Sequence, residues 1–87
     1  MDFEEVKSLI KSGLENASVG IQDLTGTKDH LSLIIISDSF EGKALLQQHR
    51  MVMDILSEKL KAELHAVQLK TLTYAKAQAA GIDPETL

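Results

Sequence analysis

The chain contains no cysteine, and this absence excludes several kinds of functional site. Without thiolates it forms no disulfide bridge, no zinc ribbon and no thiol nucleophile, and it holds no iron–sulfur cluster on cysteines of its own. Aromatic residues make up only 3% of the sequence and tryptophan is absent, so a platform of exposed rings that stacks bases is not expected. The longest uninterrupted apolar run, residues 33–36, is far too short to cross a bilayer, so we expect no membrane association.

Basic residues are outnumbered as well. Nine lysines and arginines stand against 13 aspartates and glutamates, which gives a net charge of −4. Strong non-specific binding to nucleic acid needs a surplus of cations that neutralise phosphates, and this surplus is missing. The N-terminal sequence, MDFEE, has no basic segment typical of a signal peptide, so we expect a cytoplasmic location. With 87 residues, the chain has room for one small hydrophobic core.

Hydrophobic periodicity in the first half predicts a helix followed by two strands. Apolar residues recur at helical spacing near the N-terminus, at Phe3, Val6, Leu9, Ile10 and Leu14. Val19 and Ile21 alternate with polar residues and predict a short strand that ends near residue 24, before a polar turn. Residues 31–37 form a second predicted strand, in which both faces are largely apolar. Such a strand is expected at the centre of a sheet or covered on both sides.

The second half of the sequence predicts a helical segment, a strand and a weak tail. From residue 43 to about residue 62 the period is helical, with Leu45 and Leu46 among its apolar positions. Residues 47–50 are polar on every side, so one long helix and two shorter ones both remain open. Residues 65–72 alternate between an apolar and a wet face, which predicts a third strand. The alanine-rich tail predicts a weak helix at most.

This order of elements is typical of the α+β class, with helices packed on a small three-stranded mixed sheet. We assign residues 1–74 to one domain and residues 75–87 to a tail that is weakly helical or disordered. A tight turn makes the first two strands antiparallel, whereas a helical crossover makes the second and third strands parallel neighbours. His30 and His65 lie at the starts of these two parallel strands, and adjacent strands are about 4.8 Å apart. We therefore expect both histidines near one another at one rim of the sheet.

Several blocks of sequence, in this order and at these separations, resemble the BolA family. They are residues 40–43 (FEGK), 48–52 (QHRMV), 64–67 (LHAV) and 69–73 (LKTLT), and the resemblance covers about residues 3–74. It implies an α-β-β-α-α-β fold similar to a type II KH domain, with the helical segment divided near His49 and Arg50. The chain resembles the branch that carries histidine in the loop after the first strand, at His30. It departs from many members at Tyr74, where they have proline, which puts the geometry of the tail in question.

The resemblance also implies a function. BolA-like proteins are partners of monothiol glutaredoxins, with which they share a bridging [2Fe–2S] cluster in iron–sulfur trafficking or iron signalling. By the family's pattern His65 ligates this cluster, and His30 supplies or assists a second ligand. A glutaredoxin cysteine and glutathione would supply the thiolates, so the chain alone is expected to hold no cofactor and to be a monomer or a weak homodimer.

Other interpretations of the same residues stand beside this one. His65 shares its parity with apolar residues and is alternatively a partly buried histidine bonded to the backbone, while His30 is alternatively a solvated turn residue. Lys43, His49 and Arg50 form a local basic group that suggests a DNA-binding transcriptional regulator, or else a solvated helix end. No Gly-X-X-Gly loop of the kind that clamps nucleic acid in KH domains is present, which favours the glutaredoxin partner. No catalytic constellation accompanies the histidines, so we expect no enzymatic activity.

Overall fold

The fold is a small three-stranded sheet with helices on both of its faces. A computed structural model describes the backbone of residues 3–24, 26, 30–62 and 66–87, and their side chains apart from those of residues 30, 58–62 and 66. The elements are α1 (Phe3–Gly13), β1 (Ser18–Asp23), β2 (His30–Ile36), a 3₁₀ turn (Asp38–Phe40), α2 (Leu45–Ala62), β3 (Ala66–Leu72), α3 (Tyr74–Ala79) and a final 3₁₀ turn (Pro84–Thr86). The predicted α+β class with a three-stranded mixed sheet is confirmed. Within the described residues, no helix is both long and apolar enough to cross a membrane.

Strand β2 is central in the sheet, as its two apolar faces predict. The strand order is β1-β2-β3, with β1 antiparallel to β2 and β3 parallel to β2. The register pairs Leu33 of β2 with Ile21 of β1 and with Leu69 of β3. Alternate residues of β2 face the main core, and Leu31, Leu33 and Ile35 are each 0% exposed.

The main core lies between the sheet and helices α1 and α2. Its buried members are Val6, Ile10, Leu14, Val19, Leu31, Leu33, Ile35, Phe40, Val52 and Leu56. The apolar stripe predicted for the first helix is therefore confirmed. Gly13, at the end of α1, permits close contact with α2, because a Cβ atom there would lie 2.7 Å from the Ile55 Cδ1 atom.

A smaller layer covers the opposite face of the sheet. Ile36 and Ala77 are fully buried although neither belongs to the main core cluster. Helix α3 packs against β3, and the final 3₁₀ turn packs against β1. A Cβ atom on Gly20 would lie 2.9 Å from the Leu87 Cδ2 atom, so the segment after α3 lies directly on β1. The sheet is thus covered on both sides.

Helix α2 corrects one expectation. It is continuous over 18 residues, so its predicted division near His49 and Arg50 is wrong, and the extra helical turn lies at Asp38–Phe40 instead. Gln48 occupies the inner face of α2 and is only 3% exposed. Leu46 lies about 200° around the helix from Gln48, at 100° per residue, and therefore points outward. Leu45 and Leu46, two of the apolar positions of the predicted helix, are 61% and 64% exposed.

The tail is helical at Tyr74, where many family members have proline. Thr73 caps α3, because its Oγ1 atom accepts a hydrogen bond from the Lys76 amide at 3.2 Å. Tyr74 is the first residue of the helix, a position at which the backbone amide has no intrahelical partner and proline is equally tolerated. Tyrosine adds a contact, since its hydroxyl donates a hydrogen bond to the Asn16 carbonyl and lies 3.1 Å from the Ser18 Oγ atom. The substitution therefore preserves the start of α3.

Candidate functional site

The rim of the sheet at which β2 and β3 begin is the candidate metal-binding region. The Cα partner of His30 in the parallel ladder is Ala66, the residue that follows His65 in the chain. The expected parallel pairing of the second and third strands is therefore confirmed. His65 and the His30 side chain lie outside the described residues, so their roles as ligands stay predictions.

The exit from β1 shapes the same rim. Asp23, the last residue of β1, accepts a hydrogen bond at its Oδ1 atom from the Gly26 amide at 2.9 Å. Gly26 has φ of 81°, in the left-handed region that glycine adopts without steric cost. Leu24 lies between them and is 45% exposed. The chain thus turns sharply after β1, next to the histidine rim, and carries an exposed leucine there.

The basic group predicted from the sequence lies at and just before the N-terminal half of α2, whereas the C-terminal half leads toward the histidine rim. Lys43 and Arg50 are exposed and His49 is half-buried. The 12 positions from Arg50 to Ala62, where α2 ends near β3, span about 18 Å at 1.5 Å per residue. The structure therefore places the basic group and the histidine rim at different ends of the molecule.

Hydrogen bonds of Gln48 fix this arrangement. Its Oε1 atom accepts from the Thr71 hydroxyl at 2.8 Å, and its Nε2 atom donates to the Lys43 carbonyl at 3.0 Å. Thr71 is 4% exposed and lies near the end of β3, five residues beyond Ala66. The N-terminal half of α2 is thus fastened to the end of the sheet opposite the histidine rim.

The sequence did not indicate the exposed apolar residues of α2. It gave no sign that Leu45 and Leu46 are exposed. It did predict that one of Met51 and Met53 is exposed, because they flank Val52 and cannot both share its helical face. That last prediction is confirmed, because Met53 is 39% exposed and Met51 is half-buried and packs against the core. The burial of Gln48 displaces the inner face, and nothing local to the helix reveals it.

Two surface cavities are bordered by the tail, and one of them extends toward the histidine rim through Gln22 and Ser32. One, of about 400 Å³, is bordered by α3 and the tail, and its lining consists of Tyr74, Gln78, Gly81, Ile82, Asp83 and Pro84. The other, of about 290 Å³, lies along β1 and includes Lys7, Gly20, Ile34 and Leu87. Among the side chains that the structure describes, no three His, Cys, Asp or Glu residues are grouped so that they hold a metal ion. Of the three histidines in the chain, the structure describes the side chain of His49 alone.

Comparisons with known proteins point to one family. A family model described as BolA-like protein matches residues 5–76. BolA-like protein 2 from Homo sapiens is 38% identical over 75 residues, which cover 84% of this chain and 86% of that protein. The DNA-binding transcriptional regulator BolA from Escherichia coli is 38% identical over 48 residues, which cover 55% of this chain and 46% of that protein. The structure of BolA1 from Arabidopsis thaliana matches with a TM-score of 0.78 at 27% identity, over 84% of this chain and 92% of that one.

Proposed function

The chain belongs to the BolA-like family, and on this premise we propose that it is a non-enzymatic partner of a monothiol glutaredoxin with which it shares a bridging [2Fe–2S] cluster. In this proposal His65 and His30 ligate the cluster, and the protein serves in iron–sulfur trafficking or iron signalling. The observation that carries the proposal is the parallel pairing of His30 with Ala66.

This pairing favours a common location for the two histidines. Neighbouring strands are about 4.8 Å apart, and the Cα atoms of consecutive residues are about 3.8 Å apart. His65 directly precedes Ala66 in the chain, so this pairing supports the expectation that both histidines belong to one rim. Two imidazoles on such neighbouring backbones can both ligate one small cluster. The pairing therefore supports a shared site at the rim.

The donor set also fits a cluster that is shared. A [2Fe–2S] cluster is usually held by four thiolates, and imidazoles replace two of them in some sites. This chain offers imidazoles and no cysteine, so thiolates must come from a partner, here a glutaredoxin cysteine and glutathione. Neutral imidazole ligands raise the reduction potential relative to thiolates. We expect a labile cluster that is exchanged between proteins.

Reconstitution tests the proposal. The chain is mixed with a monothiol glutaredoxin, iron, sulfide and glutathione, and the visible and electron-spin-resonance spectra are compared with those of the glutaredoxin alone. We expect a distinct, histidine-type signature for the mixture. His65→Ala should abolish this signature and His30→Ala should weaken or alter it. His49→Ala is the matched control, because His49 lies on α2 away from the rim, and it should leave the spectrum unchanged.

Two results would refute the proposal. One is a spectrum of the mixture identical to that of the glutaredoxin alone. The other is an unchanged signature in both rim variants, His65→Ala and His30→Ala. Far-ultraviolet circular dichroism on each variant separates loss of a ligand from loss of the fold, because an unfolded variant loses the helical signal of α1 and α2.

A second candidate function is regulation of transcription through DNA. The relative from Escherichia coli is named a DNA-binding transcriptional regulator, and the exposed Lys43 and Arg50 near the start of α2 are available to phosphates. Two such contacts predict that affinity for duplex DNA falls about twelvefold between 50 and 200 mM salt. This function would be favoured if duplex DNA bound near physiological salt with this salt dependence, and if Lys43→Ala and Arg50→Ala lost the binding. The net charge of −4 favours the glutaredoxin partner.

A further inference from the structure

The outward face of α2 has an unusual concentration of exposed apolar side chains. Four large hydrophobic residues are exposed in the described part of the chain, and three of them, Leu45, Leu46 and Met53, lie on α2. Their exposed fractions are 61%, 64% and 39%. Leu46 and Met53 are seven residues apart, which places them on one face of the helix, two turns from each other. Leu45 lies only about 60° around the helix from the inward-facing Gln48 and is exposed at the helix start, so it is not part of the outward face. We call Leu46, Arg50 and Met53 the α2 outer surface.

This surface is not needed for the core of the protein. Val52 and Leu56 form the inner face of α2 and are each 0% exposed, and Gln48 completes that face. The side chains of the α2 outer surface therefore remain in water while the fold is complete. An exposed apolar cluster rimmed by polar residues marks a site of protein–protein contact more often than one isolated exposed leucine does.

Two exposed cations accompany the α2 outer surface, and the nearest carboxylates in the sequence, Glu41 and Asp54, lie on either side of this stretch. From residue 43 to residue 53 the sequence has Lys43 and Arg50 but no aspartate or glutamate. Both cations are exposed, whereas the chain as a whole has a net charge of −4. A surface that combines leucine, methionine and cations is complementary to one that combines apolar side chains with carboxylates.

We propose that the α2 outer surface binds an acidic amphipathic helix of a partner protein. The two apolar contacts seven residues apart match the anchor spacing of a helix that lies along a helix. Carboxylates beside those anchors would face Arg50. A second copy of this chain does not supply such a helix through α1, because Val6 and Ile10 of α1 are fully buried in its own core.

The position of this surface makes the contact independent of the histidine rim. Gln48 holds this half of α2 against Thr71, at the far end of β3 from Ala66. The 18 residues of α2 span about 27 Å. One partner at the rim and another at the α2 outer surface can therefore bind at the same time. The inference goes beyond the proposed cluster sharing and does not depend on it.

Nuclear magnetic resonance titration of the full chain tests the inference. The probe is a synthetic 18-residue peptide with leucine at every third or fourth position and glutamate elsewhere. Two controls are a scrambled peptide of the same composition, which has no apolar face, and a peptide with lysine in place of each glutamate. We expect the acidic amphipathic peptide to shift the backbone amides of residues 43–54, and both controls to bind at least tenfold more weakly.

Variants identify the surface. Leu46→Ser combined with Met53→Ser should weaken binding at least tenfold, and Leu24→Ser is the matched control, because Leu24 is an exposed leucine at the histidine rim. Arg50→Glu should weaken binding of the acidic peptide and strengthen binding of the lysine peptide. His65→Ala should bind the acidic peptide normally, and the Leu46→Ser, Met53→Ser variant should still form the shared cluster. These last two arms separate failure of this inference from failure of the proposed function.

Several outcomes would overturn the inference. They are no shift on α2, equal binding of the scrambled peptide, or undiminished binding in the double variant. Shifts of the same amides with protein concentration alone would assign the surface to a second copy of the chain. Competition for these amides by duplex DNA, with no response to the acidic peptide, would assign it to nucleic acid. The substituted residues are exposed, so circular dichroism should report an intact fold in each variant.

Discussion

Replacing Gln48 by methionine should destabilise the protein through one buried hydrogen bond. Methionine has a similar length and shape, but it cannot accept the hydrogen bond that the Thr71 hydroxyl donates at 2.8 Å. Thr71 is 4% exposed, so water cannot replace the lost acceptor. An unsatisfied buried hydroxyl costs about 1–3 kcal/mol, and loss of the bond to the partly buried Lys43 carbonyl costs about 0.5–1 kcal/mol more.

The sum, about 1.5–4 kcal/mol in the free energy of unfolding, is large enough to measure by urea denaturation. For a domain of this size it corresponds to a fall in Tm of roughly 6–32 °C. The decisive measurement is a double-mutant cycle with Thr71→Val, which removes the hydroxyl at nearly constant volume. In wild-type protein Thr71→Val should destabilise, because it deprives the Gln48 amide of a donor.

In the Gln48→Met background the same Thr71→Val change should be neutral or stabilising, because it removes a hydroxyl that has already lost its partner. The expected coupling free energy between the two positions is about 1–2 kcal/mol. A coupling of zero, with Thr71→Val equally costly in both backgrounds, would show that this bond does not fasten α2 to β3.

Three further predictions concern the tail, the approach to α2 and the shared cluster. Tyr74→Phe should lower the free energy of unfolding by about 1 kcal/mol. Tyr74→Pro should lower it by a similar amount, because proline is tolerated at the start of a helix. Thermal unfolding that shows a loss several times larger for the proline variant would contradict this. Gly42 has φ of 72°, and an added Cβ atom there would have no atom within 4 Å. Gly42→Ala should therefore lower the free energy of unfolding by about 1–2 kcal/mol through backbone strain alone, and Gly42→Asn should have an intermediate effect. Equal stability of the wild-type protein and both variants would contradict this. For an imidazole with the ordinary pKa of about 6.5, the neutral fraction that can ligate metal falls roughly tenfold between pH 7.5 and pH 5.5. The cluster signature of the mixture should therefore be present above this range and be lost as the pH falls through it. A signature that persists at pH 5.5 would argue against histidine ligands.

The sheet was predictable because its signals are local. Alternation predicted β1 and β3, and the two apolar faces of β2 indicated its central place. The helical crossover then predicted that β2 and β3 are parallel. The closeness of His30 to the start of β3 followed from topology alone, and the register between His30 and Ala66 agrees with it.

The continuity of α2 was not predictable, because a distant residue determines it. The polar stretch at residues 47–50 left one long helix and two shorter ones both open, because the sequence does not show whether a polar side chain on the inner face has a partner. Only the resemblance to the BolA family implied a division. Thr71, 23 residues from Gln48, provides that partner. With Gln48 turned inward, Leu46, about 200° around the helix from it, is turned outward. The same contact thus accounts for the continuity of α2 and for the outward position of Leu46.

The tail illustrates a different limit of sequence interpretation. Its alanines carry little hydrophobic signal, and a six-residue helix is unstable in isolation. It forms because Thr73 caps it and because Ala77 is buried against the sheet. Neither the burial of so small a side chain nor the tyrosine hydroxyl bond to Asn16 leaves a periodic trace in the sequence.

The crossover between β2 and β3 also orders events while the protein is being synthesised. His30 and Ala66 are ladder partners although 36 positions separate them in the chain. At about 5–20 residues per second, a ribosome needs roughly 2–7 s to add that segment. Throughout this interval His30 has no ladder partner on β3. In the proposed cluster sharing, the site at the rim is therefore completed late in translation, after the helix that separates the two strands has emerged.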